Sequence, residues 1–127
     1  MAGNSADKPR VLYVEDEKDL QDLMTHMLQF LGYEITCADN GKMGVERAEE
    51  WKPDVILMDV RMPVMDGPEA IAVLRSKPDT KDTPIYVVSA YNDAATRDAC
   101  KQAGADDFFT KPIDIEKINA TIKAALV

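Results

Sequence analysis

A chain of 127 residues with 46% hydrophobic and 30% charged side chains has the balance of one globular domain with a core of its own. Its formal net charge of −8 argues against direct binding to nucleic acid, which calls for a basic face, and against adhesion to anionic membranes. The two cysteines, Cys37 and Cys100, stand outside any CxxC or Cys/His cluster, so they suggest no zinc site and a reduced, cytoplasmic setting.

Residues 1–8 are small and polar, without an apolar signal core, and read as a flexible tail before a domain over 9–127. Val11–Val14 is a short apolar run that ends in Glu15-Asp16-Glu17. Leu20, Leu23, Met24, Met27, Leu28 and Leu31 then step by three and four, the stripe of an amphipathic helix, and Gly32 suits the position just past its end. Glu34–Ala38 is a weaker strand, expected at an edge. Asn40 is placed to cap a second helix carrying Val45 and Ala48.

Val55–Met58 is a second fully apolar run, ending in Asp59. Gly67-Pro68 opens a third helix, with Pro68 predicted at its first position and Ile71 and Leu74 facing inward. Ile85–Val88 runs into Ser89, Asn92 is placed to cap a fourth helix ending at Gly104, and Asp107–Thr110 reads as the fifth strand. Asp114 is placed to cap a last helix with Ile115, Ile118 and Ile122 on one face.

Strands that are apolar at successive positions are covered on both faces. Alternating with helices, they imply an α/β, flavodoxin-like three-layer sandwich. The expected form is a five-stranded parallel sheet of order 2-1-3-4-5 with five helices. Its crevice lies at the carboxyl ends of the strands, near the switch point between strands 1 and 3.

Glu15, Asp16, Asp59, Ser89 and Lys111 all fall at that edge. Polar residues at strand ends are ordinary loop chemistry one at a time; five together make a site. Three clustered carboxylates repel, each pair by about 1–4 kcal/mol at 4 Å, so a divalent cation with oxygen ligands is expected. Magnesium suits few carboxylates and several waters. A carboxylate can attack a phosphoryl group, and such transfers need positioning and charge neutralisation more than acid or base groups.

These residues carry a resemblance. Val-Glu-Asp-Glu at 14–17, Met-Asp-Val-Arg-Met-Pro-Val-Met-Asp-Gly at 58–67, Ser-Ala at 89–90, Gly-Ala-Asp-Asp-Phe at 104–108 and Lys-Pro at 111–112 resemble the receiver domain of two-component response regulators over roughly residues 9 to 126. The resemblance implies that Asp59 is phosphorylated, and that the chain catalyses only its own phosphorylation and dephosphorylation. It implies a magnesium ion, with manganese as a substitute, held by Asp16, Asp59, the backbone carbonyl of Arg61 and, mainly through water, Glu15. Ser89 and Lys111 would bind the phosphoryl group, the Lys111–Pro112 peptide would be cis, and Gly67 would serve a tight turn.

Ser89 and Phe108 would form the switch pair. Phe108 lacks the hydroxyl that a tyrosine, frequent at that position, would bring. Arg61 and Tyr91 occupy the two positions that control hydrolysis, and both are large. The implied partners are a sensor histidine kinase or histidine phosphotransfer protein, and a downstream protein target on the face of the fourth helix, fifth strand and fifth helix. The chain reads as a stand-alone regulator or as a piece of a longer one.

Other readings of the same residues fit less well. A haloacid dehalogenase-type phosphatase also places Asp after an apolar strand, but it wants a second Asp where Arg61 stands. A flavodoxin-like cofactor carrier would need a phosphate-cradling loop where Glu15-Asp16-Glu17 would repel the anion. His26 reads as a solvated helix histidine, Trp51 as a packed helix-end residue, and the seven methionines as gap-filling.

Overall fold

The computed structural model describes residues 8–127. Of the tail expected over 1–8, all but Lys8 therefore lies outside the described residues. The elements alternate throughout: β1 (Arg10–Val14), α1 (Lys18–Phe30), β2 (Glu34–Ala38), α2 (Gly41–Trp51), β3 (Val55–Met58), α3 (Gly67–Arg75), β4 (Ile85–Ser89), α4 (Ala94–Ala103), β5 (Asp107–Thr110) and α5 (Ile115–Ala125). The strands pair in parallel in the order β2-β1-β3-β4-β5, as their apolar runs predict.

Strand alternation divides the core in two. Leu12, Val14, Ile56, Met58, Ile85 and Val87 face α2, α3 and α4. Val11, Tyr13, Val55, Leu57, Tyr86 and Val88 face α1 and α5. The three central strands are buried at every position except Arg10 at the start of β1, so both faces of the sheet are covered. No helix among the described residues is long and apolar enough to cross a membrane.

Helix starts follow local chemistry. Asn40 accepts from the Met43 amide and Asp114 from that of Lys117, as expected of side-chain caps. Two details differ from the sequence reading. The fourth helix is capped by Asp93, one residue after Asn92, because Asp93 accepts from both the amide and the hydroxyl of Thr96. The third is capped by Asp66 in a reciprocal pair with Glu69, which makes Gly67 its first residue and Pro68 its second. Pro68 fits there equally well, since no first-turn amide has an intrahelical partner.

The stripe of α1 is also turned. Its buried residues are Gln21, Met24 and Leu28, whereas Leu23 and Leu31 are exposed. Gln21 belongs to the inner face because its amide donates to the Glu15 carbonyl and, at 2.9 Å, to Asp39. With both hydrogens of its NH2 group bonded, Gln21 can take an interior place.

Candidate functional site

The carboxyl ends of β1, β3, β4 and β5 bring the site residues to one rim. β1 and β3 are neighbours in register, with Val14 opposite Met58, so Glu15 and Asp59 emerge side by side. The loop after β1 is closed by the Glu15 amide donating to Ala38 and the Asp59 amide donating to Val14. Carboxylate oxygens of Glu15, Asp16 and Asp59 lie within 4.8 Å of one another; Glu15 and Asp59 are buried and Asp16 is exposed. This all-oxygen, acidic set fits a hard divalent cation such as magnesium.

Lys111 is the counter-charge. Its Nζ lies 2.7 Å from Glu15 Oε1 and 3.7 Å from Asp59 Oδ2. Its amide donates to the Ser89 carbonyl at 2.8 Å, which ties the β5–α5 connection to the end of β4. The Lys111–Pro112 peptide bond is cis. Ser89 is fully buried, and its Oγ accepts from the Tyr91 amide at 3.0 Å.

Gly67 abuts the Asp59–Val60 segment from the other side. A Cβ on Gly67 would collide with the Asp59 carbonyl and lie 3.0 Å from Val60 Cα, and the Gly67 amide donates to the Val60 carbonyl at 2.7 Å. Only a residue without a side chain lets the first turn of α3 approach this closely.

The electrostatics follow from burial and neighbours. Burial, and next the charge of Glu15, push the Asp59 carboxyl up to about 6, against the pull of Lys111 and of the Val60 amide. For Glu15 burial works in the same direction, but the Lys111, Glu17 and Tyr13 hydrogen bonds outweigh it and hold its carboxyl below the ordinary glutamate range. Asp16 is raised by burial and by Glu15. Lys111 loses by burial but gains more from Glu15 and Asp59, so its ammonium form is favoured. The rim thus holds one firmly ionised pair, Glu15–Lys111, beside an Asp59 that lacks a full counter-charge.

The remaining expected residues range from the loops after Asp59 and Ser89 to the opposite edge of the sheet. Arg61 and Tyr91 are both exposed, and the guanidinium carbon of Arg61 lies 3.9 Å from the Tyr91 ring centroid, so the two form one stacked pair. Phe108 is half-buried against the α2–α3–α4 side of the core, with Arg97 stacked on it at 4.7 Å. His26 is exposed on α1, away from the acidic group, and its Nδ1 meets the Asp22 carbonyl. Trp51 packs against the core at the end of α2 under Arg10.

Three supporting residues escaped the sequence reading. Tyr13 donates to Glu15 Oε1 at 3.0 Å; the signal was a hydroxyl two residues before an acid on one strand, hence on the same face. Gln21 was signalled by its spacing of three and seven from Met24 and Leu28. Asp39, which accepts from Gln21 and from Lys18 at 2.7 Å, carried no signal, because the contact depends on the β2–α2 loop.

The sequence matches the family model for the response regulator receiver domain over residues 11–123. It is 36% identical over 118 residues to the transcriptional regulatory protein PrrA of Mycobacterium leprae, covering 93% of this chain and 50% of that protein. It is 35% identical over 117 residues to the regulatory protein AtoC of Escherichia coli K12, covering 92% of this chain and 25% of that protein. The chain thus spans half or less of the length of these relatives. Among solved structures, the receiver domain of the sensor histidine kinase PA1611 from Pseudomonas aeruginosa PAO1 has a magnesium ion coordinated in its active site cleft. It matches with a TM-score of 0.88 at 32% identity, covering 94% of this chain and 98% of that one.

Proposed function

The chain belongs to the response regulator receiver domain family, and on that premise we propose that residues 9–127 form a phosphorylation switch whose acceptor is Asp59. The observation that carries this reading is the setting of Asp59. It is a carboxylate only 7% exposed, grouped with the oxygens of Glu15 and Asp16, and the ammonium of Lys111 stands 3.7 Å away.

An Asp59 carboxylate oxygen attacks the phosphorus of a phosphohistidine on a sensor kinase or phosphotransfer protein. The new O–P bond forms as the N–P bond breaks, and the imidazole leaves with the electron pair and takes a proton. Asp16, Asp59, the Arg61 carbonyl and, through water, Glu15 would hold magnesium, or manganese in its place, which would supply positive charge to the phosphoryl oxygens. Lys111 needs no large movement to reach a phosphoryl oxygen on Asp59, since its three donors leave hydrogens to spare beyond Glu15. The Ser89 hydroxyl, which now accepts from the Tyr91 amide, retains its own proton to donate to another oxygen.

Reversal is hydrolysis: water attacks phosphorus, and the Asp59 carboxylate departs. On this reading the large, stacked side chains of Arg61 and Tyr91 crowd the attacking water and slow that step. Movement of Ser89 toward the phosphoryl group makes room for Phe108 to turn inward. The face of α4, β5 and α5 changes with it and is offered to a downstream protein. The setting is cytoplasmic, and the acidic chain itself makes no contact with nucleic acid or membrane. The test is incubation with magnesium and acetyl phosphate followed by intact-mass measurement. One added phosphoryl group is expected, and none in Asp59→Asn. An unmodified wild-type protein under all donors would overturn the reading.

A further inference from the structure

Tyr13 is fully buried in the wall between the sheet and helices α1 and α5. Its ring does what Val11 and Val88 do there, and phenylalanine would fill the same volume. The hydroxyl is a different matter. A buried hydroxyl is a net cost unless it is hydrogen-bonded, and its partner here is the fully buried Glu15, whose Oε1 lies 3.0 Å from Tyr13 Oη. A phenol keeps its proton at neutral pH and an ionised carboxylate can only accept, so the hydroxyl is the donor.

Glu15 is therefore bonded on three sides. Oε1 accepts from Lys111 Nζ at 2.7 Å and from Tyr13 Oη, and Oε2 accepts from the Glu17 amide at 3.2 Å. A carboxylate offers about four acceptor positions. Oε1 is filled, and the single open position lies on Oε2. A glutamate has three side-chain torsions and needs such a hold if one oxygen is to keep one orientation.

We propose that Tyr13 is a positioning residue for the acidic site, turning Glu15 so that Oε1 serves Lys111 and Oε2 alone is left to the cation and its water. The inference rests on the reading of Glu15, Asp16 and Asp59 as the magnesium group. Sharing Oε1 with Lys111 has a second effect. Tyr13 draws off part of the Glu15 charge and so loosens its grip on the ammonium, whose next neighbour is Asp59.

The test is a double-mutant cycle read as magnesium affinity by titration calorimetry, with no turnover involved. Tyr13→Phe is expected to weaken Mg2+ binding about 10-fold, in the range seen when an outer partner of a metal ligand is removed. In a Glu15→Asp background the carboxylate is one methylene too short to meet the hydroxyl. There Tyr13→Phe is expected to leave Mg2+ affinity unchanged and to raise the melting temperature in EDTA, because it removes a hydroxyl without a partner.

Equal effects of Tyr13→Phe in both backgrounds would mean that it acts through core packing, and would overturn the proposal; so would unchanged affinity in the otherwise wild-type protein. If wild type itself binds no Mg2+, the reading of the site fails and this inference fails with it, whereas binding indifferent to Tyr13 sinks this inference alone. Should Tyr13→Phe not fold, the wild-type hydroxyl proton decides. A slowly exchanging Tyr13 resonance that shifts on Mg2+ titration supports the role, and one that does not shift contradicts it.

Discussion

Replacing Asp59 by asparagine should stabilise the metal-free protein, and the size of the effect can be worked from the site. The Asp59 carboxyl is raised from its ordinary value of 3.8 to about 6. At about 1.4 kcal/mol per pKa unit, ionising it in the folded state costs about 3 kcal/mol more than in the unfolded chain. The sign follows from proton binding. Between pH 4 and 6 the folded state holds more protons than the unfolded one, so stability falls as pH rises through that window and stays low above it.

Asparagine keeps the shape and can still accept from the Val60 amide, whose bond to Asp59 Oδ1 is 2.8 Å. The pull of Lys111 is already contained in that ionisation cost; burying the asparagine NH2, a donor that the carboxylate did not have, trims the expected gain to about 2 kcal/mol at pH 7.5. For a domain of this size that is a rise in melting temperature of roughly 8 °C. Thermal or urea melts of both proteins in EDTA at pH 4, 5, 6 and 7.5 measure it. The gap should be widest at pH 7.5 and should close toward pH 4. Saturating Mg2+ should reverse it, since the ion binds only the folded wild-type site with full strength. An asparagine variant no more stable than wild type at pH 7.5, or a gain that persists undiminished at pH 4, would refute the reasoning.

Lys111→Met leaves Glu15 buried without its cation, and a destabilisation of about 3–5 kcal/mol is expected in urea melts at pH 7.5. Glu15 is held below the ordinary glutamate range, so this loss should shrink as pH falls below that range and both proteins bind the proton. Gly67→Ala drives a methyl group into the Asp59 carbonyl; a loss of about 1–3 kcal/mol is expected, together with weakened Mg2+ binding by calorimetry. Arg61→Ala and Tyr91→Ala should each speed dephosphorylation roughly two- to five-fold, the worth of an exposed cation–π pair. The double variant should add nothing further, because either change alone unmakes the stack; unchanged rates would exclude it as a barrier to water.

Much of this architecture was legible in the chain. Val11–Val14, Val55–Met58 and Ile85–Val88 are apolar at successive positions and alternate with helical stripes, which suits a sheet covered on both sides, and a parallel sheet sends all its strand ends to one rim. That topological fact brought Glu15, Asp16, Asp59, Ser89 and Lys111 together before any distance was known. Where the reading slipped, side-chain bonding had chosen between near-equal options. Asn92 and Asp93 are both fit caps, and Thr96 selects Asp93 by offering two donors. The leucine spacing of α1 pointed one way, and the need for a buried amide at Glu15 and Asp39 turned Gln21 inward instead. The Arg61–Tyr91 stack, Arg97 on Phe108 and the hold of Tyr13 on Glu15 depend on the paths of loops and on rotamers, which spacing does not encode.

The central claim is a covalent bond at one residue, and it can be read chemically. The protein is treated with acetyl phosphate and Mg2+, reduced with borohydride, which converts an aspartyl phosphate to homoserine, and digested for peptide mass mapping. Conversion of Asp59 alone, dependent on Mg2+, is the expected result. Conversion at Asp16 or at any other acidic residue with Asp59 intact would contradict the account.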